Sequence, residues 1–261
     1  FSMRAVLSKA PGGPETLVVE EVSDPTPKAG EVVIEVRAVG INFPDTLIIE
    51  DKYQFRPQRP FAPGAEVAGV VEAIGEGVKG IHKGDRVIAV PGWGGLVERI
   101  AVPAASVIPI PKAMDFETAA ALIMTYGTSY YALKDRAKLQ AGETLLVLGA
   151  AGGVGAAAVE LGKAMGARVI ATAGGKTKTD FCLEIGADAA IDYKAVPDLR
   201  KAVKDAAPEG VDAYFENVGG DHLVAALDVL KQFGRIAACG MISRYNDEAP
   251  SPGPHNMTNI V

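Results

Sequence analysis

The sequence predicts an α/β protein of two domains, a β-rich first domain and a second domain with a parallel sheet covered by helices. Three observations predict this class. The chain has 261 residues, which fits two medium domains better than one typical core. Short apolar runs separated by Pro and Gly fill the chain up to about residue 111, and strand-like and helical runs alternate after residue 143. We place the boundary before Asp115, which gives domains of 3–114 and 115–261.

The first domain is predicted from the spacing of its apolar runs. LVVEEV, EVVIEVRAVGI, EVAGVVEAIG and DRVIAV follow one another with turn residues between them, which is typical of an all-β barrel or sandwich. The composition of the sequence then changes, and the alanine-rich segment DFETAAALIMTYGTSYYAL follows. Asp115 is placed to cap it, and Glu117 and Thr118 fall in its first turn, so we predict a helix.

The second domain is predicted from a repeated strand–helix order. Strands that are apolar on both sides and joined by helices of this length indicate a parallel sheet covered on two faces. The successive runs are TLLVLG, GVGAAAVELGKAMG, ARVIATA, KTKTDFCLEIG, DAAIDY, DLRKAVKDAA, VDAYFENV, DHLVAALDVLKQF and GRIAACGMI.

Composition excludes several classes of function. The formal net charge of -6 gives no basic footprint for nucleic acid or an anionic membrane. The uncharged stretches are shorter than the roughly 20 residues that a membrane span needs. Cys182 and Cys239 stand alone, outside any metal-ligand or disulfide spacing, which predicts a reducing cytoplasm. There is no Gly-x-Ser-x-Gly motif of a hydrolase. Small-molecule chemistry is the class that remains.

The stretch LLVLGAAGGVG, residues 145–155, combines a strand with a glycine-rich turn and a following helix. Gly152, Gly153, Val154 and Gly155 form the predicted turn, and the helix after it offers free N–H groups and a positive dipole end to a phosphate. Ala150 replaces the first glycine of the GxGxxG pattern. A ligand-free strand-to-helix corner is the alternative. Because a βαβ series follows, we predict a dinucleotide site of the Rossmann type.

The residues after the next strand bear on which dinucleotide binds. An NAD site places an acidic side chain about 20 residues beyond the turn, to bind the ribose hydroxyls. Here Thr172 stands in that place, and Lys176 and Lys178 follow. Two lysines at the start of a helix also suit an ordinary solvated face. The missing acid favours NADP(H) as the cofactor.

Five motifs lie along the chain: GINFPDTL, PGAEVAGVV, GDRV, TYGTSYYAL and GAAGGVG. On these motifs the whole chain resembles the medium-chain dehydrogenase/reductase superfamily, in its zinc-independent quinone and enone reductase branch. The first two thirds are similar to NADPH:quinone oxidoreductases, whereas YFENVGG and CGMISRYN are similar to alkenal, prostaglandin and curcumin reductases.

The resemblance implies a GroES-like catalytic domain beside a Rossmann domain, an active site in the cleft between them, and a homodimer. It also implies a last strand and a return of the chain to the first domain, so we expect the C-terminal end at Val261 to be incomplete. Zinc enzymes of the superfamily carry a Cys at the position of Asn42 and His-Glu at that of Ala65-Glu66. The resemblance therefore implies that there is no zinc site.

The resemblance implies three catalytic positions. Asn42 matches an asparagine beside the nicotinamide, although a turn asparagine bonded to its own backbone is the alternative. Tyr53 matches a substrate-pocket tyrosine, against an ordinary loop aromatic. Tyr245 matches a tyrosine near the nicotinamide ribose and the substrate oxygen, against a solvent-facing tyrosine. His82, His222 and His255 have no partner at nucleophile–base spacing, and we expect them to be structural.

The remaining cofactor residues follow from the same comparison. Thr128 matches a threonine that contacts nicotinamide, although a helical threonine more often bonds the preceding turn. Lys178 matches a lysine for the 2′-phosphate, and Tyr193 a tyrosine of the same pocket. Asn217 and Gly240 end successive predicted strands, where ligands of such sheets bind.

The expected function is NADPH-dependent, metal-free hydride transfer to a quinone. A 2-alkenal or enone double-bond reductase is one alternative, and a nucleotide-binding protein without turnover, as in a lens crystallin, is another.

Overall fold

The computed structural model describes residues 2–245, 249 and 252–256. The chain divides into two compact units, one ending at Met124 and the other beginning at Thr125. The expected incomplete end at Val261 lies outside the described residues.

The helices and strands follow the predicted order, β-rich first and alternating afterwards. The α-helices are α1 Phe43–Ile49, α2 Phe116–Ala120, α3 Thr128–Tyr130, α4 Gly153–Ala164, α5 Lys176–Glu184, α6 Leu199–Ala206 and α7 Gly220–Val229. The strands are β1 Ser2–Leu7, β2 Val18–Ser23, β3 Glu31–Gly40, β4 Glu66–Ile74, β5 Arg86–Ala89, β6 Arg99–Pro103, β7 Val107–Pro109, β8 Thr144–Val147, β9 Arg168–Ala173, β10 Ala189–Asp192, β11 Val211–Glu216 and β12 Leu230–Ala238.

The first unit is an antiparallel β structure. Five strands pair in the order β6-β3-β4-β5-β7, and β1 and β2 form a separate antiparallel pair. Its core is a layer of β-branched side chains that alternate along the strands, among them Val32, Ile34, Val67 and Val87. The prediction of a β-rich first domain is confirmed.

The helical segment after Asp115 differs from the single helix expected there. Asp115 does cap α2, since its Oδ1 accepts a hydrogen bond from the Thr118 N–H at 2.6 Å. The helix ends at Ala120, and π-helical turns then occupy 123–127 and 131–136. Ala119 and Ala120 pack with Ala68 and Ile88 of the first unit, so the division falls after α2 rather than before it.

The second unit contains a fully parallel sheet of five strands in the order β10-β9-β8-β11-β12. Counted from β8, this order is 3-2-1-4-5, the arrangement of the Rossmann fold. Strands β9 and β10 lie on one side of β8, and β11 and β12 lie on the other, so the strand order reverses between β8 and β11. Ligands of such sheets bind beyond the carboxyl ends of the strands at this point.

The sheet of the second unit is covered on both faces, as its strands predicted. Alternate residues of β8 and of the position after it enter different cores: Leu145 and Val147 enter one, and Leu146 and Leu148 enter the other. Helices α4 and α5 contribute to the first core and α6 and α7 to the second. In the part of the chain that the structure describes, every helix is too short or too polar to cross a lipid bilayer.

The last predicted helix is shorter than expected. DHLVAALDVLKQF was predicted to be helical throughout, but α7 ends at Val229 and β12 starts at Leu230. Leu230 pairs with Val211 of β11. The apolar residues from Leu230 onward therefore belong to a strand, although their spacing also fits a helix.

Candidate functional site at the carboxyl edge of the parallel sheet

The glycine-rich turn follows β8 and leads directly into α4. Gly152 is the N-cap residue with extended backbone, and Gly153, Val154 and Gly155 form the first helical turn. The turn is tied to the neighbouring strand, because the Ala150 N–H donates to the Thr172 carbonyl at 3.0 Å. The first turn of α4 therefore presents N–H groups that the helix itself does not use.

Gly155 is required by close packing rather than by an unusual dihedral angle. A Cβ atom there would collide with the carbonyl oxygen of Gly149 and lie 2.8 Å from the Ala150 Cα. Gly152 is different, since a Cβ there would be 3.4 Å from the Gly149 oxygen, an ordinary contact. The space beside Gly152 is thus open to a ligand, while that beside Gly155 is filled by the turn itself.

A basic surface lies where β9 and β10 end. Gly174 follows β9, and a Cβ on it would lie 2.6 Å from the Tyr193 hydroxyl and 3.0 Å from the Lys194 Cε. Lys178 lies in the first turn of α5, immediately after this strand. Neither Lys178 nor Lys194 forms an ion pair within the described ranges. Asp192 fixes the geometry, since its Oδ1 accepts the N–H groups of Gly175 and Lys194.

Thr172 lies elsewhere than predicted. It is a fully buried residue inside β9, so its side chain does not reach the surface beyond the strand. The last residue of β9 is Ala173, which is also buried, and Gly174 and Gly175, which have no side chain, follow it. The end of β9 still lacks the acidic side chain of an NAD site, as inferred from the sequence. Thr172, however, is not the residue that occupies the position of that acid. The error came from counting along the sequence without knowing which strand residue is the last.

Three predicted residues converge where β11 and β12 end. A Cβ on Gly240 would lie 2.7 Å from the Asn217 Oδ1 and 2.9 Å from the Tyr245 hydroxyl. The Met241 N–H donates to the Tyr245 hydroxyl at 3.3 Å. Since Asn217 follows β11, this group lies at the reversal of the sheet order. A Cβ on Gly149 would be 3.3 Å from the Val218 side chain, which places the glycine-rich turn beside it.

A buried carboxylate supports the turn that carries Asn217. Glu216 Oε1 accepts the N–H groups of Val218 and Gly219 at 2.6 and 2.7 Å, and the Tyr214 hydroxyl donates to its other oxygen. Burial, reinforced by the charge of Glu216, raises the pKa of the Cys239 thiol to about 11. The thiol is therefore protonated near neutral pH. Glu216 itself fixes the backbone of the turn through its two bonds to N–H groups.

His222 and Lys194 are two residues near the site for which sequence reasoning gave no role. The His222 ring packs edge-on against the Tyr193 ring, with 4.7 Å between centroids. Burial lowers the pKa of His222, so the ring is neutral near pH 7 and acts as a packing partner. Lys194 follows Tyr193 directly, and its position beside Gly174 depends on the neighbouring strand, which spacing along the chain did not reveal.

Thr128 is the first residue of α3 and is exposed. Its neighbour Ser129 is buried and donates to the Val154 carbonyl at 2.7 Å, which joins α3 to the first turn of α4. A Cβ on Gly153 would lie 3.0 Å from the Thr125 side chain. The helical segment of Thr128 therefore lies beside the glycine-rich turn.

Asn42 lies in the first unit as the N-cap of α1. Its N–H donates to the Asp45 Oδ2 at 2.8 Å, and its side-chain amide donates to the Gly40 carbonyl at 3.4 Å. Glu66 is buried nearby, and its Oε1 accepts the N–H groups of Ile123 and Met124. Burial raises the pKa values of both Asp45 and Glu66. The local bonding of Asn42 matches the structural alternative, and the residue is half-buried.

Tyr53 lies in the loop after α1. It packs on Ile48, Ile49 and Phe61 and makes an edge-to-face contact with Phe55 at 4.9 Å between ring centroids. The loop aromatic is thus fixed against the core of its unit. Within the described residues no group of three His, Cys, Asp or Glu side chains is arranged to hold a metal ion.

A Rossmann sheet with a glycine-rich turn and polar groups at its reversal, preceded by an antiparallel β unit, defines a nucleotide-dependent dehydrogenase or reductase. Family comparison specifies it further. The alcohol dehydrogenase GroES-like domain matches residues 28–112, and the zinc-binding dehydrogenase domain matches residues 153–260. The chain belongs to the medium-chain dehydrogenase/reductase superfamily, in its quinone oxidoreductase branch.

The relatives cover most of the chain. A quinone oxidoreductase-like protein 2 homolog of Nematostella vectensis is 39% identical over 258 residues, 96% of this chain and 68% of its own length. A quinone oxidoreductase of Sus scrofa is 36% identical over 231 residues, 88% of this chain and 70% of its own. The structure of mycobacterial Rv1454c complexed with NADPH matches with a TM-score of 0.87 and 32% identity, over 98% of this chain and 78% of its own.

These relationships confirm the predicted fold class and the predicted enzyme class. The protein is an oxidoreductase that uses a nicotinamide cofactor and acts on a small molecule.

Proposed function

We propose that the protein transfers hydride from NADPH to a quinone without a metal ion. The observation that carries the choice of NADPH is the surface around Gly174, where Lys194 and the Tyr193 hydroxyl adjoin the end of β9, which carries no acidic side chain. The nearby carboxylate of Asp192, at the end of β10, accepts the N–H groups of Gly175 and Lys194. An acid at the end of β9 would bind the ribose hydroxyls of NAD and repel a 2′-phosphate. Two lysines and a hydroxyl favour the phosphate.

The residues present fit a dinucleotide along the whole edge of the sheet. The open space beside Gly152 and the N–H groups of the first turn of α4 suit a pyrophosphate. Lys178, Lys194 and Tyr193 would hold the adenosine phosphate at one side. Asn217 and Tyr245 would hold the nicotinamide half at the reversal of the sheet. When bound, the reduced nicotinamide supplies the hydride.

The donor set does not fit a zinc ion. Asn42 and Ala65 offer no thiolate or imidazole, and Glu66 already accepts two backbone N–H groups. Zinc sites in proteins are built mainly from Cys and His side chains. The name of the matching dehydrogenase domain therefore does not describe the chemistry that we propose for this chain.

Hydride transfer to a quinone places negative charge on a substrate oxygen, which hydrogen-bond donors must stabilise. Tyr245 is the donor that we propose for this role, and it is also able to organise a ribose hydroxyl. No charged acid is required, because solvent can protonate the resulting oxyanion. Reduction of an enone creates the same charge on an enolate, so Tyr245 alone supports both substrates. The similarity to quinone oxidoreductases favours the quinone.

The basic surface with Lys178 and Lys194 gives the sharpest test of whether the cofactor is NADPH or NADH. Lys178→Gln and Lys194→Gln are expected to raise KM for NADPH about tenfold each and to leave KM for NADH unchanged, since only NADPH carries the 2′-phosphate. Lys176→Gln is the matched control, because that lysine lies in the same turn and pairs with Asp180 at 2.6 Å. Equal effects on the two cofactors would contradict the assignment.

We also propose a homodimer, which light scattering of the purified chain would test. Binding of NADPH without oxidation by any quinone or enone would support a nucleotide-binding protein without turnover instead.

A further inference from the structure

A tyrosine–glutamate pair joins two segments of the second unit. The Tyr126 hydroxyl donates a hydrogen bond to the Glu160 carboxylate, and both residues are half-buried. Tyr126 lies in the π-helical turn 123–127, and Glu160 lies in the second half of α4. The bond joins residues that are 34 positions apart in the sequence, so it fixes the place of one segment on the other rather than the local backbone.

The bond between these two side chains is present throughout the neutral pH range. The hydrogen bond to Glu160, together with burial, raises the pKa of Tyr126 to about 12. The phenol therefore keeps the proton that it donates. A carboxylate oxygen is also a stronger acceptor for a hydroxyl than a neutral oxygen is. The pair is thus a firm attachment between the π-helical turn and α4.

The same segment is also attached to the first turn of α4. A Cβ on Gly153 would lie 3.0 Å from the Thr125 side chain, and the Ser129 hydroxyl donates to the Val154 carbonyl at 2.7 Å. Because seven residues make about two turns of an α-helix, Gly153 and Glu160 lie on one face of α4, about 10 Å apart along its axis. The segment is therefore held at two separate points of this face, which fixes its direction as well as its distance from α4.

Thr128 lies on the segment that these contacts hold. It falls between Tyr126 and Ser129 and is itself exposed. The stretch α3 that it begins has three residues, between the π-helical turns 123–127 and 131–136. A helix this short has little rigidity of its own, so the position of Thr128 depends on the bonds to α4. Turns of π-helix are rare and occur frequently at functional sites.

We propose that Tyr126 and Glu160 are positioning residues, which hold the Thr128 hydroxyl where the nicotinamide ring binds. This inference rests on the proposed function and adds to it two residues that act through Thr128. In the proposed site the phosphate groups supply most of the affinity for NADPH, whereas the orientation of the ring sets the rate of hydride transfer. A displacement of about 1 Å can lower such a rate by up to about 100-fold. Loss of the pair should therefore lower kcat and leave the affinity for NADPH nearly unchanged.

Removal of single hydroxyl groups tests the proposal. Tyr126→Phe is expected to lower kcat with a quinone about tenfold and to change Kd for NADPH by less than about twofold. It should also lower the fluorescence anisotropy of the bound reduced nicotinamide, because the ring is less constrained, and this measurement needs no substrate. Thr128→Val, which removes a hydroxyl at nearly equal size, should have the same effects. The double variant should be no worse than either single variant, since both changes act through one contact.

Two controls separate positioning from folding. Glu160→Gln keeps an oxygen that accepts the Tyr126 hydroxyl, so it should retain kcat within about twofold of wild type, whereas Glu160→Ala should match Tyr126→Phe. Tyr130→Phe is the matched control, because Tyr130 lies in the same segment and is 48% exposed. It should leave kcat, anisotropy and Tm unchanged. Tm is measured for every variant, so that a loss of folded protein is recognised.

Wild-type kcat and wild-type anisotropy in Tyr126→Phe would overturn the inference and leave the proposed function standing. A rise in Kd for NADPH as large as the fall in kcat would also overturn it, since the pair would then support the glycine-rich turn instead. Failure of every quinone to oxidise NADPH with the wild-type protein would overturn the proposed function alone. In that case a lower anisotropy in Tyr126→Phe and Glu160→Ala, but not in Tyr130→Phe, would still support the positioning role.

Discussion

Substitutions of two glycines in the turn after β8, Gly155 and Gly152, should separate an effect on folding from an effect on nucleotide binding. Gly155→Ala forces a methyl group against the Gly149 carbonyl and to 2.8 Å from the Ala150 Cα. These are backbone atoms, which cannot move aside as a side-chain end could. Overpacking of this kind costs about 1–3 kcal/mol, and we expect about 3 kcal/mol here. For a chain of this size that lowers Tm by about 6–12 °C.

Gly152→Ala should behave in the opposite way. Its Cβ would be 3.4 Å from the Gly149 oxygen, and the extended backbone of an N-cap suits alanine. Loss of N-cap preference costs about 1 kcal/mol, or about 2–4 °C in Tm. The methyl group would occupy the space proposed for the pyrophosphate. Losing one charge-assisted hydrogen bond costs about 1.5–3 kcal/mol, so Kd for NADPH should rise at least about tenfold.

Differential scanning calorimetry and NADPH titration by cofactor fluorescence measure the two effects on the same samples. The reasoning predicts a large loss of Tm in Gly155→Ala and a large loss of affinity at nearly normal Tm in Gly152→Ala. Wild-type affinity in Gly152→Ala would refute the assignment of the turn to a pyrophosphate. Wild-type Tm in Gly155→Ala would refute the packing argument.

Three further predictions concern single side chains. Tyr245→Phe should lower kcat for a quinone about tenfold at unchanged Tm, because it removes a donor to the oxyanion, and steady-state kinetics would detect this. Cys239 should resist iodoacetamide at pH 7.5 in the folded enzyme, since its pKa of about 11 leaves a thiolate fraction below ~0.1%, and peptide mass spectrometry with a urea-unfolded control checks it. Arg235 lowers the pKa of Glu143 through paired hydrogen bonds of 2.6 and 2.9 Å. The pair therefore adds stability that is present above the usual pKa of 4.5 and is lost as pH falls through the lowered folded value. Denaturant titrations should show Glu143→Gln roughly 1 kcal/mol less stable than wild type at pH 7, with the difference vanishing in acid. A difference that persists unchanged at pH 3 would contradict that assignment.

The succession of strands and helices along the chain and the position of the glycine-rich turn could be predicted because local signals agree with the global fold. The apolar run before Gly149 is long enough to be buried on both faces, and the glycines after it mark the entry to a helix. The place of Asn217 and Gly240 followed from the same logic, since residues that end parallel strands meet at one edge of the sheet.

Other features depend on contacts that spacing along the chain does not encode. The end of β9 is fixed by pairing with β10, so the sequence misplaced the missing acid at Thr172 and gave no role to Lys194. The π-helical turns after α2 follow an alanine-rich run that predicts a regular helix equally well. The contact between Phe55 and Trp93 joins two loops nearly forty residues apart, and neither residue belongs to a motif.

The central claim is tested most directly by the rate of NADPH oxidation with a quinone compared with a trans-2-alkenal, each repeated with NADH. The account predicts a higher kcat/KM for the quinone and a preference for NADPH. A higher kcat/KM for the alkenal, or equal rates with NADH, would contradict it.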